Sequence, residues 1–408
     1  MMPAVERPHA PVSGPSGSRR RAWWLAPRLR SDEPGTTPRR VTWLELFFDL
    51  VFVVVIGQLT HKLSGDISTT GLLEFVFLFV PAWWMWVAGS YYVEYWETDD
   101  ISMRVIMFAL ILPVVGLALF VDGALGDTVR GYALSYASAR VVLAFLFARA
   151  GRHDARSRTI AWSYAWGFLT VAALIVGSLF VSHDTRIAMW VLALSLEFLM
   201  PVVLTLGIRN QLPHRRETSK LPERFGLFTL IVLGETVVNV FQGLWGVRDV
   251  TLGLAMTGAL GLAMAFEWWG IYFDFVAQRR IKEGIWWEWA WGYLHLGLVM
   301  SMVAVGTCLF HVMKSGDSAL PGEVKWLLVG ATASTLLMVA AIEVTLSPGG
   351  EHRPPRGWPK LVVTAAILVL GLTGDTIGAA RLLAIIVALL MIPTIAGSRV
   401  WLEEAPDN

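Results

Sequence analysis

The stretch that decides the fold reads Glu45-Leu-Phe-Phe-Asp49 and continues Leu-Val-Phe-Val-Val-Val-Ile-Gly57. A membrane-spanning helix needs about 20 residues, because each residue rises 1.5 Å and the hydrocarbon layer is about 30 Å thick. The uncharged run, residues 50–60, is too short to cross alone. Glu45 and Asp49 are therefore expected inside the span near its cytoplasmic end, and their i,i+4 spacing places them on one helix face.

The composition agrees with a chain built from such segments. Of 408 residues, 55% are hydrophobic and 16% are charged, whereas soluble domains have about 45–50% and about 25%. This balance excludes an ordinary cytosolic enzyme, a disordered protein and a nucleic-acid binder. The net charge of +1 gives no field that attracts polyanions.

Disulfide and metal chemistry have little support in the sequence. The single cysteine, Cys308, excludes a disulfide framework and a cysteine-based zinc site. His295 and His311 lie well inside apolar segments, but they are 16 residues apart, which does not suit a metal site. We predict no metal and no cofactor.

Apolar runs of membrane-spanning length recur along the chain, and we predict an all-α, polytopic membrane bundle of about twelve helices. The eleventh run is the weakest. The predicted segments are 43–64, 71–92, 102–121, 130–149, 160–181, 186–207, 223–243, 252–276, 288–312, 323–346, 359–374 and 379–401.

The distribution of Lys and Arg predicts the orientation. Loops with several basic residues alternate with loops that hold one, except that the acidic loop 93–101 holds none. Acidic residues count little in this rule, so the pattern places both termini in the cytoplasm if the number of spans is even. An eleven-helix alternative would place the C-terminus outside. Residues 1–40 are predicted to be a disordered, basic cytoplasmic tail, and residues 41–402 the transmembrane bundle. The partners expected from this organisation are membrane lipids, and the oligomeric state stays open.

An internal repeat is one interpretation of two similar segments. The segment Glu223-Arg-Phe-Gly-Leu-Phe-Thr-Leu-Ile-Val-Leu-Gly234 matches the first in its acid, its phenylalanine two residues later and its aliphatic run ending at glycine. Tryptophan pairs follow in the next helix of each half. Two parallel six-helix repeats, residues 41–210 and 221–402, would explain this pattern. Chance matching is the alternative, because Trp and Phe are common in this chain.

Ionisable residues within the spans are the candidate functional groups, because each is costly at the bilayer centre unless it is paired or faces a cavity. Glu45 and Asp49 are expected either to pair with Arg104 or Arg224 or to form a cytoplasmic gate or relay. Mid-span charges of opposite sign, Arg140 and Glu197, are expected to have partners, which could be each other, in a structural role.

The seventh segment carries a polar stripe. Glu235, Asn239 and Gln242 follow at i, i+4 and i+7 on an otherwise apolar helix, so they must face protein or water. Two hypotheses are open for this stripe. It either bonds helices together, or Glu235 is a substrate or proton site.

The eighth and ninth segments add three candidates. Glu267 and Asp274 are seven residues apart among aromatic side chains, an environment suited to a cation. His295, two turns after Glu288, could relay protons. The alternatives are that the tryptophans simply pack and that the histidine is a satisfied hydrogen-bond partner.

These motifs together resemble the low temperature requirement protein A (LtrA) family, and the likeness covers nearly the whole chain after the tail. The resemblance implies a bacterial integral membrane protein of the cytoplasmic membrane, with a family name taken from a cold-growth phenotype. It does not imply a molecular activity. The residues that match the family pattern are Glu45, Phe48, Asp49, Glu223, Arg224, Gly226, Gly234, Glu235, Asp274 and His295.

Three functional hypotheses remain. The first is a proton-coupled transporter or permease for a small, cationic solute, with Glu235 as the proton site, assisted by Glu267, Asp274 and His295. The second is an intramembrane enzyme in which buried carboxylates act on a lipid or isoprenoid within an aromatic cavity. The third is a structural or sensory membrane protein whose charges are only paired.

Overall fold

The computed structural model describes residues 23–29, 41–98, 100–208, 219–245, 247, 249–277, 279–347 and 357–403. Over these residues the chain forms twelve α-helices, so the predicted all-α polytopic bundle is confirmed. They are α1 Trp43–Gly65, α2 Thr69–Tyr95, α3 Ile101–Phe120, α4 Val129–His153, α5 Arg158–Gly177, α6 His183–Ile208, α7 Leu221–Leu244, α8 Leu252–Tyr272, α9 Ile285–Ser315, α10 Gly322–Thr345, α11 Trp358–Thr373 and α12 Ala379–Glu403.

Length and hydropathy explain why these segments are helices. Among the described residues, eleven of the helices are long and apolar enough to cross a membrane. The exception is α11, whose 16 residues give about 24 Å. Inside the hydrocarbon layer a helix satisfies its own backbone hydrogen bonds. The hydroxyl groups of Thr42, Ser68 and Thr251 cap the first turns of α1, α2 and α8.

The ninth helix lies at the centre of the bundle. It packs against α1, α2, α6, α7, α8, α10 and α12, and it is the most buried of the candidate spans. Large apolar side chains on the outer helices are exposed instead, for example Leu119 on α3 and Leu206 on α6. This outward apolar surface is what a lipid-facing protein presents.

The first and seventh helices run parallel to each other. Their contacts advance along both helices in the same direction, as they must when two neighbouring helices begin on the same side. In chain order the contacts are Glu45 with Lys220, Asp49 with Arg224, Phe52 with Phe228, and Gly57 with Glu235.

Part of the pattern of helix neighbours recurs in the two halves of the chain, although the α8–α12 and α2–α4 contacts have no counterpart of comparable size. In the first half, α1 packs against α2 and α3, and α3 to α6 pack in sequence. In the second half, α7 packs against α8 and α9, and α9 to α12 pack in sequence. This recurrence agrees with two parallel six-helix repeats, which stay a prediction.

Part of the N-terminal segment is ordered against the bundle. Residues 1–40 are predicted to be a disordered tail, but within them the two-residue strand Arg28–Leu29 pairs antiparallel with Trp96–Glu97. The backbone N–H of Leu25 donates to the Asp100 carboxylate at 2.6 Å. The rest of this predicted tail lies outside the described residues.

A buried ion pair explains why this segment docks. Arg149 of α4 binds Asp100, the N-cap of α3, at 2.8 Å, and both side chains are buried. Arg149 also donates to the carbonyl of Leu25 at 2.7 Å and lies 4.0 Å from the centroid of the Trp24 ring. The segment therefore supplies a backbone donor and a carbonyl acceptor that complete the hydrogen bonding of the pair.

The Asp100 contacts predict an acid-sensitive contribution to stability. Burial by itself raises the pKa of Asp100, but the hydrogen bonds outweigh it and lower the pKa below its usual range. A carboxylate with a lowered folded-state pKa stabilises the protein fully above its unfolded pKa, about 3.9, and loses this contribution as pH falls through the folded-state value. The donors are the N–H groups of Leu25 and Met103, the Ser102 hydroxyl and Arg149.

We therefore expect Asp100→Asn to lower the melting temperature near neutral pH and to differ less from wild type in acid. Loss of hydrogen bonds to a charged group predicts a cost of about 2 kcal/mol. Melting of both proteins in detergent, from about pH 7 to about pH 3, measures this difference. Asp184→Asn, at an exposed site, controls for the lost charge. A gap between Asp100→Asn and wild type that persists unchanged into acid would contradict the assignment.

Candidate functional site

A buried ion pair joins the first turns of α1 and α7. Asp49 Oδ1 accepts from Arg224 Nη2 at 2.5 Å, and Arg224 Nε lies 3.3 Å from the other carboxylate oxygen. The indole N–H of Trp86, on α2, donates to Asp49 at 2.7 Å. All three side chains are at least 98% buried. One carboxylate thus connects three helices.

A second pair lies one turn nearer the end of the same two helices. Glu45 Oε1 is 3.3 Å from Lys220 Nζ, and the backbone N–H of Lys220 donates to Glu94 Oε2 of α2 at 3.2 Å. We name Glu45, Asp49, Glu94, Lys220 and Arg224 the α1–α7 latch.

Arg224 is thus the arginine bound by Asp49, whereas Arg104, the other predicted partner, is exposed in the first turn of α3.

The cost of removing its charges from water determines how much the latch contributes to stability. Removing two charges from water costs several kcal/mol per ion, and good geometry with additional hydrogen bonds is needed to offset that cost. The bidentate Asp49–Arg224 contact and the Trp86 bond provide such geometry. Losing one partner would leave the other charge buried without compensation, so the pair fixes how α1 sits on α7.

Glu235 is a buried carboxylate at the crossing of α1 and α7, and 9% of its residue surface is exposed. A Cβ atom added at Gly57 of α1 would meet its two carboxylate oxygens at 3.4 and 3.5 Å. Asn239 donates to the backbone oxygen of Glu235 at 2.8 Å and to its Oε1 at 3.4 Å. In the part of the chain that the structure describes, no basic side chain pairs with Glu235.

The polar stripe predicted on α7 is shorter than expected. Glu235 and Asn239 are buried, but Gln242 is exposed. Gln242 lies in the last turn of α7, which ends at Leu244. The buried stripe therefore consists of two residues, at the level where Gly306 of α9 also packs closely against Thr236.

His295 lies in a separate, aromatic part of the interior. Its Nδ1 is 2.7 Å from the carbonyl oxygen of Trp291, and a carbonyl only accepts, so Nδ1 carries the proton. Its Nε2 then accepts from the Tyr272 hydroxyl at 3.1 Å. Trp291 and Phe225 pack on the ring at 4.2 and 5.1 Å between centroids. Both nitrogens are satisfied, so this histidine is a hydrogen-bond partner within the core.

The two acids of α8 do not join Glu235. Glu267 is half-buried and accepts from the Thr394 hydroxyl of α12. Asp274 is exposed, in the π-helical turn Phe273–Ala277 that follows α8. Phe266 and Trp269 stack at 5.6 Å on the exposed face of this helix. Among the described residues, Phe266 and Trp269 therefore face away from the interior, and the π turn changes the helical register before Asp274. A cation site on this helix stays a prediction.

Arg140 and Glu197 form a buried pair between α4 and α6. Arg140 Nε lies 2.7 Å from Glu197 Oε1, and both side chains are fully buried. Tyr136 donates its hydroxyl to Glu197 and accepts from Arg140 Nη2 at 2.6 Å. The geometry supplies each charge with a counter-charge, as expected for the structural role predicted for this pair.

Sequence reasoning missed Lys220, Glu94 and Trp86. The predicted seventh segment begins at residue 223, which leaves Lys220 outside it. A usable signal is present, because Lys220, the N-cap of α7, and Arg224 repeat the i,i+4 spacing of Glu45 and Asp49 on α1. Because both doublets lie at the beginnings of their helices, pairing them side by side requires parallel helices in register.

The latch predicts a large and specific loss of stability. We expect Arg224→Gln to lower the free energy of unfolding by about 3–5 kcal/mol, because Asp49 would stay buried without its counter-charge. The double variant Asp49→Asn/Arg224→Gln should lose less than the sum of the two single changes. Denaturant unfolding in detergent micelles measures all three. Arg104→Gln is the exposed control, for which a change below about 1 kcal/mol is expected. Equal stability of Arg104→Gln and Arg224→Gln would exclude a stabilising latch.

Comparison with known proteins adds the family. The family model described as bacterial low temperature requirement A protein (LtrA) matches residues 40–396, which includes the α1–α7 latch, Glu235 and His295. An uncharacterised protein of Rhizobium meliloti (strain 1021) is 27% identical over 259 residues, covering 61% of this chain and 62% of the relative. The alignment thus spans less than two thirds of that relative's length. The extent of the family match establishes that the chain belongs to the bacterial low temperature requirement A (LtrA) family and is an integral membrane protein.

Proposed function

We propose that this LtrA-family protein is a proton-coupled transporter for a small cationic solute and that Glu235 is the group that gains and releases the proton. The observation that carries this proposal is a buried carboxylate near the middle of α7 without a basic partner among the described residues. An acid at that depth costs several kcal/mol when charged. Asn239 is the one side chain that hydrogen-bonds this carboxylate in the described structure, and a proton or a cation would neutralise it.

The α1–α7 latch is the proposed gate. Arg224 and Glu235 are separated by eleven residues on one helix, which is about 16 Å along its axis. A change of charge on Glu235 acts directly at Gly57, where the carboxylate touches α1. Two packed helices joined by discrete ion pairs form an element with two arrangements, which is the kind of device that alternates access.

The location of the gate follows from the orientation that we propose. The positive-inside pattern of the loops places both termini in the cytoplasm of a bacterial cell. The latch, at the first turns of α1 and α7, would then face the cytoplasm. Glu267, Asp274 and His295 lie elsewhere, so we assign proton exchange to Glu235 with Asn239 as its positioning partner.

Intramembrane catalysis on a lipid or isoprenoid has weaker support. Such an enzyme needs an acid that faces a cavity. The aromatic cavity between α2, α4, α5, α6 and α9 has no carboxylate among its lining residues. Glu323 and Glu74 line more open pockets, but neither is one of the acids predicted as a functional site. The transporter is therefore the better interpretation of these acids.

We expect Glu235→Gln to abolish solute-driven proton movement while the protein stays folded, because the amide has the shape of the acid but no exchangeable charge. The assay uses proteoliposomes with an internal pH dye and an imposed pH gradient, to which choline, tetramethylammonium or guanidinium is added. Wild type should change the internal pH on addition of at least one solute. Glu283→Gln is the matched control at an exposed position. Coupled flux that survives in Glu235→Gln would refute the assignment of the proton site.

A further inference from the structure

A cavity of about 50 Å³ lies between α2, α4, α5, α6 and α9. Most of its lining side chains are aromatic, and five of them are Trp84, Tyr91 and Tyr95 of α2, Tyr164 of α5 and Trp289 of α9. This volume would hold about three or four water molecules, so it suits a compact group rather than an extended chain. None of these residues belongs to the α1–α7 latch or to the Glu235 site.

The cavity has an unsatisfied polar atom in its wall. Tyr91 is 94% buried, and its hydroxyl has no hydrogen-bond partner among the described residues. The ring is fixed by stacking on Trp289 at 5.2 Å between centroids, and its hydroxyl lies beside Gly292 of α9. An unpaired buried hydroxyl is costly. A ligand with one hydroxyl or carbonyl oxygen would satisfy it.

The ring faces favour a cation. Aromatic faces carry negative electrostatic potential and attract ammonium and guanidinium groups. This bundle uses the effect elsewhere, because Arg140 lies 4.3 Å from the centroid of Tyr136 and Lys360 lies 3.5 Å from that of Phe275. The carboxylates of Glu94 and Glu288 lie close enough to Tyr91 and Tyr95 to act on them electrostatically, and their charge has the sign that attracts a cation.

The scarcity of hydrogen-bond acceptors decides which cation fits. Ser157 is the polar lining residue other than the tyrosines, and its hydroxyl already accepts from Trp96 and donates to Asp154. A primary ammonium group brings three N–H donors, and the acceptors that this wall offers are phenolic hydroxyls and the occupied serine, with no carboxylate among the lining residues. A quaternary ammonium group has none, and its methyl groups contact ring faces directly.

We propose that this cavity binds the quaternary ammonium group of a choline-like solute, with the rings around the cation and the Tyr91 hydroxyl on the oxygen of the ligand. The site names the class of solute for the proposed transport, and its role in transport rests on that proposed function. Binding of the ligand to the cavity does not depend on the proposed function. Glu94 of α2 also accepts from the backbone of Lys220, so the helix that lines the cavity also contacts the latch.

The test is ligand binding to the purified, full-length protein in detergent micelles, measured by calorimetry. Choline is compared with 3,3-dimethylbutanol, which has the same shape without the charge. We expect choline to bind about tenfold more tightly or better, the size of a buried cation–π contribution. Equal affinities for the two, or no choline binding by folded wild type, would overturn the site.

Two variants locate the binding. Trp289→Leu should weaken the binding of choline about tenfold. Trp326→Leu, at an exposed position on α10, is the control. Tyr91→Phe removes a hydroxyl without a partner among the described residues, so the fold should be kept. This variant should weaken the binding of choline more than the binding of tetramethylammonium, which has no oxygen. Choline binding unchanged in both variants places the ligand elsewhere and overturns the site. Binding that persists without any proton coupling upholds the site and overturns the proposed transport instead.

Discussion

The buried contact between Asp49 and Arg224 is the interaction on which the rest of the structure depends. Neither charge is tolerable in the interior alone, because the desolvation cost of each is met only by the other and by the Trp86 bond. Together with the Glu45–Lys220 pair one turn away, this contact sets α1 parallel to α7 and fixes their register. That register places Gly57 opposite Glu235, so the position of the proposed proton site is a consequence of the ion pair.

The helices follow from the sequence because hydropathy over about 20 residues is a local property. All twelve segments were predicted, including the short α11. The acids and bases of α1 and α7 could also be identified, because a charged side chain inside a membrane has a high free-energy cost and is therefore rare there. The pairing of Arg140 with Glu197 was one of the arrangements that their charges allowed, and the structure shows it.

Helix rotation and depth could not be read from the sequence in the same way. Gln242 and Asp274 continue the polar pattern of their helices, yet both are exposed, since α7 ends soon after Gln242 and a π turn follows α8. Lys220 belongs to the α1–α7 latch although its neighbours resemble a loop. The docking of residues 23–29 depends on a buried pair from α3 and α4, which is distant in sequence. Each of these features is set by packing between elements.

The proposed proton site, gate and ligand cavity share three helices. Glu235 and the latch are connected along α7, the latch and the cavity along α2, and α9 packs against both helices. The most direct test of proton exchange at Glu235 is infrared difference spectroscopy of the protein in lipid bilayers across a pH step. We expect a band from a protonated carboxyl group that is present in wild type and in Glu267→Gln and absent in Glu235→Gln. An unchanged band in Glu235→Gln would contradict the assignment of Glu235 as the group that exchanges the proton.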